Sequence, residues 1–122
     1  MKRSAKRAYS LRPRFQLSAH GEISLGPGKA DLLETIGSTG SISEAATQMG
    51  MSYMRAWTLV RTMNRSFRQP LVTTVRGGRL QGGSQLSETG RKVLSLYRRL
   101  ESESRRATRA TERSLAQLLR QP

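Results

Sequence analysis

Between residues 41 and 63 apolar positions recur at helical spacing and are interrupted once. Ala45, Ala46 and Met49 share one side of a short helix. Gly50 breaks the run, and Ala56, Leu59, Val60 and Met63 resume it on one face. A glycine between two helices supplies the left-handed backbone that a tight helix stop needs. Ser52 stands where a side-chain oxygen caps the second helix, Met51 can fill the angle between the two, and the alanines are small where they cross. The spacing predicts a helix-turn-helix, and it leaves Tyr53, Met54, Arg55, Thr58 and Arg61 on the free side. An ordinary αα-hairpin inside a bundle would show the same small residues, glycine turn and cap. This stretch alone therefore does not choose between packing and reading of DNA.

The flanking pattern extends the picture. Phe15, Leu17 and Ala19, then Ile23 and Leu25, keep an odd alternation on one side that predicts one strand or a small hairpin turning at His20-Gly21-Glu22. A helix is expected from about Lys29 to Ser38, with Ala30, Leu33 and Ile36 or Gly37 inward and Leu32 broadening that face. The second helix of the central motif should run to about Phe67, where Gln69-Pro70 ends it. Leu71 to Arg76 is β-branched and short, a strand, and Ser84-Gln85-Leu86 can return beside it across Gly77-Gly78-Arg79-Leu80-Gln81-Gly82-Gly83. A strand, a glycine-rich loop and a strand directly after a recognition helix make the wing of a winged helix. Ser87 caps a last helix from Glu88 to about Arg120, with Gly90 tolerated in its first turn. Steps of four and three through 93, 97, 100, 104, 107, 111, 115 and 118 put Val, Tyr, Leu, Ser, Ala, Thr, Leu and Leu on one seam. That is a weak heptad with polar gaps, read as a dimer seam or as a solvated helix end.

Charge changes the balance. The 122 residues carry 22 basic and 8 acidic side chains, a net +14. Arginines outnumber lysines, and arginine is the better partner for phosphate or guanine. Residues 15–50 hold one basic and four acidic residues, whereas 51–83 hold six basic and none acidic. Solubilising charge would not segregate in this way; a surface facing a polyanion would. Residues 1–14, with six basic and no acidic residues, read as a flexible arm, either a solubilising tail or a strand that tracks phosphate or enters a minor groove.

Other chemistries are poorly served. Without cysteine there is no disulfide, thiolate site or thiol nucleophile. One histidine, His20, and scattered carboxylates leave no acid–base or metal constellation, and His20 reads as an exposed turn residue. The glycine loop lacks the helix N-terminus directly behind it that a nucleotide phosphate needs. No apolar run is long enough to span a membrane, and the basic N-terminus lacks the apolar core of a signal peptide.

Several features in order and at spacing, Gly40-Ser41-Ile42-Ser43-Glu44-Ala45-Ala46, Gly50-Met51-Ser52-Tyr53 with Ala56-Trp57, Met63-Asn64, Leu71-Val72, the double-glycine wing and Leu86-Ser87-Glu88-Thr89-Gly90, resemble the DNA-binding domain of ModE-type molybdate-responsive transcriptional regulators, which share the winged helix of the LysR class. The resemblance covers about residues 26–100. It implies a homodimer formed through the first and last helices, a palindromic operator, and control of molybdate transport or molybdoenzyme genes. Full-length members carry molybdate-binding β-domains after the last helix. The sequence here ends at Pro122, so no molybdate site is expected on it.

The expected fold is mainly α with a small β component: a winged helix-turn-helix with a long C-terminal dimerisation helix. It divides into a basic arm (1–14), the DNA-binding domain (15–100) and an extension of the last helix (101–122). The expected function is sequence-specific regulation of transcription on double-stranded DNA, in the bacterial cytoplasm on the nucleoid, without cofactor or enzymatic activity. The alternative is an architectural DNA-binding protein with little sequence preference. Tyr53, Met54, Arg55, Thr58 and Arg61 are expected in the groove, with Arg55 as a guanine reader. Ser52 and Tyr53 have a second reading as phosphate contacts. Arg65 and Arg68 are expected on phosphate, and Arg76 and Arg79 on the wing. Trp57 reads as a half-buried strut in preference to a base contact.

Overall fold

The computed structural model describes residues 9–75 and 83–121. A short hairpin, β1 (Leu17–Ala19) and β2 (Glu22–Leu25), leads into α1 (Pro27–Thr39), α2 (Ile42–Gln48) and α3 (Tyr53–Ser66). A second hairpin, β3 (Val72–Val75) and β4 (Gly83–Leu86), precedes α4 (Glu88–Ala116). The predicted class holds: a winged helix-turn-helix followed by one long helix.

The three central helices enclose the core because each presents one apolar face to the others. Ala30, Leu32, Leu33 and Ile36 of α1, Ile42, Ala45 and Ala46 of α2, and Ala56, Val60 and Met63 of α3 are all buried, joined by Leu71, Val72, Leu86 and Tyr97. α1 ends at Gly40 in the left-handed conformation (φ 75°), whose N–H bonds to the Ile36 carbonyl. The Ser41 hydroxyl then accepts from the Glu44 N–H and starts α2. Gly50 takes φ 69° at the turn between α2 and α3, and Met51 packs half-buried against the core beside it. Each event is local, which is why the pattern of residues 41–63 was readable.

The first hairpin departs from its alternation. It turns at His20 (φ 55°) and Gly21, but Leu17 is 51% exposed and Ile23 is 40% exposed, while Ser24 and Leu25 are both buried. The register explains this. Ala19 faces Glu22, Ser18 faces Ile23, and Leu17 faces Leu25, so Ser24 is an extra residue on β2. A β-bulge of this kind shifts the faces by one position, and a count of odd and even positions cannot foresee it.

The wing hairpin is regular, pairing Val72 with Leu86 through Val75 with Gly83. Its root is tied on both sides. The Asn64 side chain, near the end of α3, accepts from the Leu71 N–H (2.8 Å) and the Val72 N–H (3.1 Å) and donates to the Val72 carbonyl (3.1 Å). On the other side, the Ser87 N–H donates to the Leu71 carbonyl (2.9 Å), and the Ser87 hydroxyl donates to the Pro70 carbonyl while accepting the Gly90 N–H. The Gly90 backbone passes so close to Leu71 that a Cβ there would strike the Leu71 carbonyl. Gly90 is therefore required at this crossing, not merely tolerated in a first turn.

α4 runs 29 residues and ends at Ala116, a turn short of the expected Arg120, for a length of roughly 43 Å at 1.5 Å per residue. Its first turns pack on the domain, and further along Ser104, Thr108 and Arg109 line a cavity with Leu11, Arg12 and Pro13 of the leading segment. Tyr97 is buried and its hydroxyl donates to the Phe15 carbonyl (2.8 Å). Arg98 bonds Asp31 and Glu34 of α1 and Glu101 of its own helix. Partial burial opposes the charged guanidinium, but those three carboxylates outweigh it and raise the Arg98 pKa further above its ordinary value. No residue of α4 beyond Tyr97 is buried, and Leu100, Leu115, Leu118 and Leu119 are exposed.

Candidate nucleic-acid interface

α3 is fixed on its inner side by Ala56, Val60 and Met63. The opposite arc follows from the same periodicity. Met54, Thr58, Arg61 and Arg65 succeed one another in steps of four, three and four, and all four are exposed. Met54, at 69% exposure, is an apolar side chain held out in solvent at the centre of the arc. No acidic residue occurs in α3. The Ser52 hydroxyl accepts from the Arg55 N–H (3.1 Å), so it caps the helix as expected, and its own O–H proton is left to donate to a phosphate. Thr58 donates its hydroxyl proton to the Met54 carbonyl (2.9 Å), which leaves its oxygen lone pairs free to accept from a base or a water.

Tyr53 and Trp57 flank this arc. Their rings meet edge to face, centroids 6.3 Å apart at 81°. Trp57 is half-buried against the core and Tyr53 is 50% exposed. Trp57 is thus half-buried, as expected, and its contact with Tyr53 lies within one helix. Arg61 projects without a carboxylate partner among the described residues, and Arg68 is exposed beyond the helix end. Arg76 and Arg79 lie outside the described residues.

Arg65 stands apart from its neighbours. Its guanidinium grips Glu22 of β2 through two bonds, Nε to Oε2 at 3.1 Å and Nη2 to Oε1 at 3.0 Å. The hydrogen bonds from Arg65 hold the Glu22 carboxyl below the ordinary carboxylate range, and Glu22 in turn raises the pKa of Arg65. Both groups remain substantially exposed, so the pair is weak and its value is positional: it ties the first hairpin to the last turn of α3. The pair joins residues 43 positions apart, so no local pattern announces it. Asn64 was also missed as a structural device. An asparagine at the end of a recognition helix, just ahead of a strand, was the available signal.

A capped helix with an outward basic arc, set on a three-helix core and followed by a two-stranded wing, defines a winged helix-turn-helix DNA-binding domain. No family model matches the chain. It is 41% identical over 90 residues to the molybdenum transport protein ModE of Azotobacter vinelandii, covering 74% of this chain and 33% of that one. Over 91 residues it is 38% identical to the molybdenum-pterin-binding protein MopB of Rhodobacter capsulatus, covering 75% of this chain and 34% of that protein. It is 37% identical over 71 residues to the DNA-binding transcriptional dual regulator ModE of Escherichia coli, covering 58% and 27% of the two chains. The solved full-length LysR-type regulator LysG of Corynebacterium glutamicum superposes with a TM-score of 0.55 at 20% identity, over 75% of this chain and 30% of that one, a likeness of fold. The chain thus spans about a third of the length of these relatives. Over the matched residues the chain is similar in sequence to these ModE and MopB proteins, and its fold is the winged helix-turn-helix.

Proposed function

We propose that the chain is a sequence-specific transcriptional regulator that binds a palindromic DNA operator as a homodimer, and that its targets include genes of molybdate transport or molybdoenzymes. The observation that carries the reading is the outward arc of α3, where Tyr53, Met54, Thr58 and Arg61 stand exposed on a helix without a single carboxylate. Arginine and threonine supply donors and acceptors for base edges, and an exposed methionine supplies apolar contact to a thymine methyl. Arg68 and the wing arginines Arg76 and Arg79 supply phosphate contacts, and Arg65 adds one through the guanidinium N–H groups not bonded to Glu22. Support for the dimer comes from α4 and the turn after it, where Leu96, Leu100, Leu115, Leu118 and Leu119 are exposed among the described residues. The molybdenum connection rests on the names of the relatives.

Selection of bound sequences from random duplexes tests the reading, with and without molybdate. A recovered inverted repeat supports the regulator, and half-sites about 10 base pairs apart would reflect a two-fold dimer. Binding without enrichment would favour the architectural alternative. Sedimentation of the free protein should show a dimer, and a monomer at micromolar concentration would remove the role given to α4.

A further inference from the structure

One cavity of the molecule gathers positive charge from three separate parts of the chain. Arg14 comes from the segment before β1, Lys29 from the first turn of α1, and Arg55 from the first turn of α3. Together with Gln16 they line a cavity of about 240 Å³. No carboxylate lines it. Of the acidic groups nearest in sequence, Asp31 is bonded by Arg98, and Glu22 is bonded by Arg65 while still attracting Lys29 at longer range. Among the described residues, Arg14, Lys29 and Arg55 make no ion pair. Three like charges around one cavity repel one another, and an anion seated between them relieves that repulsion.

We propose that this cavity receives a backbone phosphodiester of the bound duplex. The proposal rests on the DNA-binding reading of α3. Arg55 lies at the edge of the outward arc, about 60° round the helix from Thr58. A helix of about 10–12 Å diameter in a major groove about 12 Å wide has a phosphate strand close on each flank. The cavity lies on one such flank, because Met51, just ahead of α3, and Leu59, one turn beyond Arg55, also line it. Arg55 is thereby assigned to the backbone in preference to a guanine edge. Lys29 and Arg14 join the interface although neither belongs to the helix-turn-helix. A free tetrahedral oxyanion offers the same chemistry as the phosphodiester, so the experiment includes it.

The test uses the full chain, its selected operator and a scrambled duplex, titrated between 50 and 300 mM salt. Each phosphate contact contributes about 0.9 to the slope of log affinity against log salt, worth about fivefold at 150 mM. Lys29→Ala, with Arg14 and Arg55 still beside the phosphate, should weaken both duplexes by about twofold to fivefold and lower the slope by up to about 0.9, and Lys29→Arg should restore both. Arg14→Ala should act in the same direction. Arg106→Ala, on the distal half of α4, removes equal charge and should change affinity less than twofold. Inorganic phosphate should show no saturable binding at millimolar concentration. The proposal is overturned if Lys29→Ala leaves affinity and slope unchanged, if its loss is confined to the operator, or if Arg106→Ala matches it. Saturable inorganic phosphate binding that Lys29→Ala abolishes, with duplex affinity intact, would make the cavity a site for a free oxyanion instead. If the unaltered protein binds neither duplex, the DNA-binding reading falls with it, an outcome distinct from failure of the cavity alone.

Discussion

Asn64 is the residue whose removal should be felt most for its size. Its amide closes three hydrogen bonds to Leu71 and Val72, at 2.8, 3.1 and 3.1 Å. Leu71 is fully buried and Val72 nearly so, so water cannot readily replace the lost partner. Three bonds at a net ~1 kcal/mol each give ~3 kcal/mol for Asn64→Ala, and an orphaned buried N–H adds to that. Against a typical domain stability of roughly 5–15 kcal/mol, the variant stays folded but loses a large share of its margin. Its melting temperature should fall by roughly 10–15 °C at this chain length. Trp57, the single tryptophan and half-buried, reports unfolding in urea by fluorescence. Asn64→Asp keeps both accepting positions and loses the one donor, so it should cost about 1–2 kcal/mol, part of it from a negative charge near a helix C-terminus. A loss below about 1 kcal/mol for Asn64→Ala would refute the claim that this side chain holds the wing root to α3.

Two glycines separate space from backbone conformation. Gly90→Ala forces the Leu71 carbonyl aside and should cost more than ~2 kcal/mol, whereas Gly50→Ala, with open space around it but φ 69°, should cost only the left-handed strain of ~1–2 kcal/mol; equal losses in urea unfolding would contradict the crossing at Gly90. Tyr97→Phe removes the bond to the Phe15 carbonyl and should cost ~1 kcal/mol, with faster proteolysis ahead of β1 as a second readout. Burial raises the Tyr97 pKa above its ordinary value, so its contribution is complete below about pH 10 and declines as pH rises beyond that; alkaline unfolding curves that Tyr97→Phe leaves unchanged would count against it. The depressed Glu22 pKa has the opposite sign: its small contribution is present above the ordinary carboxylate range and lost as pH falls through the folded-state value, so Glu22→Gln should flatten the urea midpoint between pH 6 and pH 3.5.

What the sequence determined by itself was everything written in short-range periodicity. Gly50, Ser52 and the apolar spacing of Ala56, Val60 and Met63 specify the turn, the cap and the inner face of α3 within one or two turns of chain. Once that inner face is known, the outward arc from Met54 to Arg61 follows from helix geometry. The wing and the long last helix were legible for the same reason, through one β-branched strand, the glycine run after it and the Ser87 cap. Tertiary structure decided what depends on partners distant in sequence. The bulge at Ser24 inverted the hairpin's faces, Glu22 claimed Arg65, Leu71 made Gly90 indispensable, and Asn64 became the hinge between helix and wing. Arg14 and Lys29 met Arg55 around one cavity only because α1, α3 and the leading segment converge there. Local spacing encodes direction along one element, whereas a contact across tens of residues exists only after the elements have packed.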